Sequence, residues 1–139
     1  MRVVLDTNIL ISALITSMSP SAQVFALWRS RRFDLLTCAQ QLEEFARATR
    51  YPQVRARLLP AVAGALLNRV RDRAMVLKNL PKLDVAPDPD DNFLLALAEV
   101  GEAQFLVTGD KPLLGLKRHK STQIVTPAAL LELLKEGNK

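Results

Sequence analysis

Arg2-Val3-Val4-Leu5-Asp6-Thr7-Asn8-Ile9-Leu10 is the stretch that decides how this chain is read. Its first four residues form a short apolar run with β-branched residues at the centre, as a buried strand requires. An acid then interrupts the run before a second apolar segment begins with helical spacing. A strand ending in Asp and leading directly into a helix opens an α/β unit. The same change recurs at Phe105-Leu106-Val107-Thr108-Gly109-Asp110, close to the other end of the chain. In an open parallel sheet, residues just beyond the carboxyl ends of the strands converge on one crevice, where ligands bind.

Between these two points strand and helix patterns alternate. Helices are expected over about 8–15, from the Ser17-Met18-Ser19-Pro20-Ser21 break onward with Val24, Leu27 and Trp28 on one face, and over 40–50, 60–73, 90–101 and 127–135. Strands are expected at 2–5, 33–37, 74–77, 105–108 and 123–125, with a short turn at 113–116. Pro52 stops one helix and Pro60 suits the first turn of the next. This order predicts a three-layer α/β/α sandwich around a central parallel sheet of about five strands, in a single domain spanning 1–139.

Composition narrows the chemistry. The 139 residues include one Cys, Cys38, and one His, His119, so neither an internal disulfide nor a cysteine- or histidine-rich zinc site is available. No apolar run reaches the length of a membrane span, and Asp6 spoils a signal peptide, so a cytoplasmic protein without a membrane partner is expected. The net charge of +5 is unevenly placed. Residues 45–83 hold nine Lys and Arg against one acid, a net +8, while residues 84–110 hold seven acids and no Lys or Arg, a net −7. A basic band beside an acidic crevice suits a polyphosphate backbone held next to metal ions. A solvated helix face is the ordinary explanation for any one of these arginines, and only their segregation points to nucleic acid.

Four acidic positions, Asp6, Glu44, Asp91 and Asp110, fall where a strand ends or a helix begins. Each has a purely structural reading. Asp6 suits a helix N-cap, Thr108-Gly109-Asp110-Lys111 a strand-to-turn connection, Glu43 and Glu44 suit a helix start, and Asp88-Pro89-Asp90-Asp91-Asn92 is turn-and-cap chemistry. Three carboxylates in four residues exceed what a cap needs, and Thr7 and Asn8 add polarity beyond it. Carboxylates gathered without basic partners repel one another, and a divalent cation removes that cost. With only oxygen ligands on offer, Mg²⁺ is the expected ion, with Mn²⁺ as a substitute.

Taken in order, Asp6-Thr7-Asn8-Ile9-Leu10-Ile11-Ser12, Leu42-Glu43-Glu44-Phe45 running to Arg50-Tyr51-Pro52, Asp88-Pro89-Asp90-Asp91-Asn92-Phe93-Leu94, and Leu106-Val107-Thr108-Gly109-Asp110 with Leu113-Leu114 resemble the four signature blocks of PIN-domain ribonucleases. The group they most resemble is the bacterial and archaeal toxin components of toxin–antitoxin pairs related to VapC. The resemblance implies Asp6, Glu44, Asp91 and Asp110 as catalytic and metal-binding acids. Glu44 is preferred to Glu43 by its interval to Pro52, and Asp91 to Asp90 and Asp88 by its place before the apolar run; both neighbouring choices stay open. Thr7, Asn8, Asn92 and Thr108 would orient the acids or touch substrate. Arg47, Arg50, Arg69, Arg73 and Lys111 are candidates for the RNA backbone.

The implied reaction is hydrolysis of an RNA phosphodiester by a metal-activated water, leaving a 5′-phosphate and a 3′-hydroxyl. A cognate antitoxin and a homodimer are the implied partners. His119, in the basic Lys117-Arg118-His119-Lys120 segment, is given a surface or phosphate-contact role at most; Cys38 and Trp28 are expected in the core. Two other classes fit less well. A noncatalytic PIN-like RNA- or partner-binding module would lose acids that are all present. A Mg²⁺-dependent phospho-acceptor or phosphatase would show paired early acids or Asp-x-Asp after the first strand, where this chain has Asp6-Thr7-Asn8.

Overall fold

A computed structural model describes residues 1–137; the last two residues of the expected 1–139 domain lie outside the described residues. The chain runs β1 (Arg2–Leu5), α1 (Thr7–Ile15), α2 (Pro20–Arg29), β2 (Asp34–Cys38), α3 (Ala39–Ala48), α4 (Pro52–Arg55), α5 (Pro60–Arg73), β3 (Met75–Leu77), α6 (Asn92–Gly101), β4 (Phe105–Val107), α7 (Lys111–Leu114), β5 (Arg118–His119), β6 (Thr122–Val125) and α8 (Pro127–Gly137). The sheet order is β3-β2-β1-β4-β6-β5. Five strands are parallel, as expected, and β5 adds an antiparallel edge to β6. From β1 the order grows one way through β2 and β3 and the other way through β4 and β6. The switch point therefore lies between β1 and β4, the place where sheets of this kind bind ligands beyond the carboxyl ends.

The sheet is apolar on both faces because helices cover both. Alternation along β1 sends Val3 and Leu5 to one side and Val4 to the other. The first side, with Leu35, Val107 and Val125, packs against buried residues of α1, α2, α3, α5 and α8. The second, with Leu36, Leu106 and Ile124, packs against α6 and Leu113 of α7. Helix α6 is buried from Asn92 to Ala98, apolar all round rather than on one stripe. It lies between the sheet and the proline-containing segment that contributes Leu80, Leu83 and Ala86. Asn92 fastens this cover. Its Oδ1 accepts hydrogen bonds from the Val85 and Ala86 amides at 2.9 and 2.8 Å, and its Nδ2 donates to the Pro89 carbonyl at 3.1 Å. At the far end of α6, a Cβ on Gly101 would collide with Leu36 and stand 2.9 Å from Leu77, so a larger residue here would have to displace the ends of those two side chains.

Two expectations are corrected here. The 113–116 turn is the end of a helical turn over Lys111–Leu114, and the two residues of β5, with no periodicity to betray them, form a strand. His119 is not at the surface. It is 9% exposed, with Nε2 3.4 Å from Glu99 Oε1, because β5 folds back over the end of α6. Cys38 and Trp28 are buried as expected. No helix among the described residues is long and apolar enough to cross a membrane.

Candidate active site

Asp6 follows the last residue of β1 and begins α1. Its amide donates to the Val107 carbonyl of β4 at 2.9 Å, so the backbone itself fixes the carboxylate at the switch point. The side chain accepts two hydrogen bonds, from the Asn8 amide to Oδ1 at 3.4 Å and from the Thr108 hydroxyl to Oδ2 at 2.7 Å. Thr108, wholly buried, also accepts from the Asp110 amide at 3.1 Å and so ties the first acid to the last. Asp110 in turn accepts from the Leu113 amide at 3.1 Å as the N-cap of α7. The cap reading of Asp6 is therefore correct as local structure, and Asp110, read as part of a turn, also caps a helix; both acids are held at the same switch point.

Glu44 and Asp91 complete it. Glu44 is half-buried on α3, whereas its neighbour Glu43 is exposed, which settles which of the two faces inward. Burial raises the Glu44 carboxyl above its usual range, with Asp6 and Asp90 adding repulsion against the opposing charge of Arg47. Asp91 stands at the start of α6 without capping a backbone amide. Burial, then Asp6, Asp88, Asp110 and Glu44, push it up to about 6. Asp6 is likewise raised, by burial first, against the hydrogen bonds from Thr108 and Asn8 that favour its charged form. Asp6 and Asp91 thus each lie within electrostatic reach of the other three acids, and Arg47 opposes the charge of Glu44.

The donor set fits a hard divalent cation better than any protein partner. It is all oxygen and its charges repel, and the buried Thr7 hydroxyl lies close enough to Glu44 to favour its charged form. Among the described residues, no three acids approach closely enough to close on one ion. The Asp6 carboxylate is held by the Thr108 hydroxyl and the Asn8 amide, and that of Asp110 by the Leu113 amide.

The other expected residues divide. Asn8 is exposed beside Asp6, and Lys111 follows Asp110 at the rim. Arg50 lies with Arg55 along a shallow cavity between α3 and α5. Asn92 does not turn to the acids, because its polar atoms serve the cover of α6. Arg69 and Arg73 are not beside the acids either. Helix α5 runs back along the sheet and brings them to the first residues of β2 and β3, at the opposite end of the strands.

One positioning residue escaped sequence reasoning. Gln41, 1% exposed, donates through Nε2 to the Leu5 carbonyl at 2.6 Å and accepts at Oε1 from the Thr37 hydroxyl at 2.7 Å. It locks the first turn of α3 to the ends of β1 and β2, one turn before Glu44. Its signal was a Gln at a helix start four residues after a strand Thr, which is too common to notice alone.

No curated protein sequence matches the chain. Among solved structures, the crystal structure of FitAcB from Neisseria gonorrhoeae aligns with a TM-score of 0.50 over 91% of this chain and 98% of that one, at 17% identity, a likeness of fold alone. The model of the PIN domain family matches residues 2–112, which take in all four acids. With its strand order, its switch-point acids and this match in agreement, the chain belongs to the PIN-domain family.

Proposed function

We propose that the protein is a Mg²⁺- or Mn²⁺-dependent endoribonuclease, acting in the cytoplasm as the toxin of a toxin–antitoxin pair. PIN domains are generally nucleases. The observation that supports the reading is the convergence of four acids from distant parts of the chain at one switch point, with Asp91 pushed up to about 6 by burial first and by the neighbouring acids after it. Asp6, Asp91 and Asp110, with Glu44, would hold the cation. A divalent ion bound there supplies Lewis-acid charge that favours ionisation of an attacking water and neutralises the leaving oxygen.

The remaining work belongs to the chain. Thr108 keeps Asp6 and Asp110 oriented, Gln41 fixes the helix that carries Glu44, and Asn8 and Lys111 stand where the flanking phosphates of an RNA strand would pass. The toxin role, a protein antitoxin and a homodimer rest on the likeness of the four sequence blocks to VapC-type toxins. The test is cleavage of defined single-stranded RNAs with Mg²⁺ or Mn²⁺, arrested by EDTA, with 5′-phosphate and 3′-hydroxyl ends on the products. Full activity in EDTA, or 2′,3′-cyclic ends, would overturn the mechanism. Growth arrest on expression, relieved by co-expression of an adjacent small gene, tests the toxin role.

A further inference from the structure

A cavity of about 290 Å³ lies at the amino ends of β2 and β3, where the strands begin rather than where the acids stand. Five residues of β2 separate the two places, ~17 Å of strand. Arg29, Arg31, Arg69 and Arg73 line the cavity against one acid, Asp34. None of the four guanidinium groups is ion-paired among the described residues. Arginines at helix ends are ordinarily explained by the macrodipole, and Arg29 and Arg73 do sit in the last turns of α2 and α5. That explanation does not reach Arg31, which lies beyond the end of α2, or Arg69, a full turn inside α5. Two helix ends and a loop therefore bring four cations to one concavity.

The cavity is also partly organised. Arg29 is held over the Phe25 ring, 6.0 Å from its centre, and Arg69 is half-buried. The apolar lining comes from Trp28, Phe33 and the exposed side chain of Met75. Planar guanidinium groups around an apolar floor match a phosphate ester that carries a flat base, since Arg binds phosphate in a forked geometry and the floor shields the base. Asp34 leaves an acceptor for a ribose hydroxyl or a base amine. At this volume, near the lower limit of ligand-sized cavities of about 300 Å³, the cavity holds one such unit.

We propose that this cavity binds the phosphate of a single nucleotide unit, either free or as one residue of an RNA strand passing the pole opposite the acids. The inference stands apart from the nuclease reading, because it uses no acid of the crevice and is tested without metal. Trp28 is the sole tryptophan of the chain and lines the cavity, so its fluorescence reports occupancy directly.

The full-length protein in EDTA at low salt is titrated with AMP, with a single-stranded RNA hexamer and with a Glu-rich peptide, exciting at 295 nm. Response to AMP and to RNA, or to either alone, supports the proposal and tells the free nucleotide from the strand. Arg31→Gly and Arg69→Gln should each weaken that binding by about tenfold. Arg31 has a left-handed φ of 61° at the end of α2, where glycine is at ease, so Arg31→Gly should fold at least as well as the parent. No change of Trp28 fluorescence with AMP or RNA, binding indifferent to both substitutions, or a response to the peptide alone would overturn it.

Discussion

Replacing Asp91 by Asn should make the metal-free protein more stable at neutral pH, although it removes a family acid from the start of a buried helix. The carboxyl of Asp91 titrates at about 6 instead of its ordinary 3.8 because burial and four other acids disfavour its charge. Undiluted, that difference corresponds to ~3 kcal/mol of cost in the ionised form. The side chain is half-exposed, and solvent screening leaves ~1.5 kcal/mol. A carboxylate at the α6 N-terminus recovers ~0.5 kcal/mol through the helix dipole. Asn loses no cap, since Asp91 accepts no backbone hydrogen bond there. The net gain is ~1 kcal/mol, or a rise in Tm of ~4 °C for a domain of this size.

The sign with pH follows from a folded value above the unfolded one. The protonated carboxyl's contribution is fully present below about pH 4 and is lost as pH rises through about 6. Thermal melts in EDTA between pH 4.5 and 8 should therefore show parent and Asp91→Asn converging at the acid end and separating by the full amount above pH 7. Adding Mn²⁺ at pH 7.5 should raise the parent and narrow the gap. A variant that melts below the parent at pH 7.5, or an offset independent of pH, would refute the claim that these acids repel one another in one crevice.

Asp6→Asn and Asp110→Asn should abolish most RNA cleavage while keeping the circular-dichroism spectrum, and Glu44→Gln should lose far more turnover than Glu43→Gln; the reverse order would move the site. Thr108→Val should weaken Mn²⁺ binding by about 10–100-fold in calorimetry, because Asp6 loses its orienting donor, with Thr108→Ser retaining most of it. Gln41→Leu strands the Leu5 carbonyl and the Thr37 hydroxyl and should cost ~2–4 kcal/mol in urea denaturation. Gly101→Ala drives a methyl into Leu36 and Leu77 and should cost ~1–3 kcal/mol by the same measurement.

The parts legible in the sequence were those whose cause is local. A four-residue apolar run closed by Asp6 is a strand ending in an acid in any context, and the helix expected over 60–73 begins and ends where Pro60 and Arg73 stand. What escaped depended on contacts outside the residue's own helix or strand. Asn92 at a helix start reads alike whether it serves substrate or backbone, and only the return of Val85 and Ala86 over α6 decides. His119 in a run of basic residues looked solvated until Glu99, twenty positions earlier, came to lie beside it. Arg69 and Arg73 belonged to a basic band in sequence, but a helix running back along the sheet carries its last turns away from the crevice that the band was expected to flank.

The central place of β1 bears on how such a chain is made. Its two flanking strands, residues 34–38 and 105–107, are synthesised some seventy positions apart, and the Thr108 that orients Asp6 comes later still. Chains emerge and fold from the N-terminus onward. Until residue 110 has left the ribosome, the β1 edge that β4 covers is open and Asp6 lacks the Thr108 hydroxyl. A protein proposed to cut RNA is produced by a machine built of RNA, and its topology withholds the finished site until Asp110 has been released from that machine.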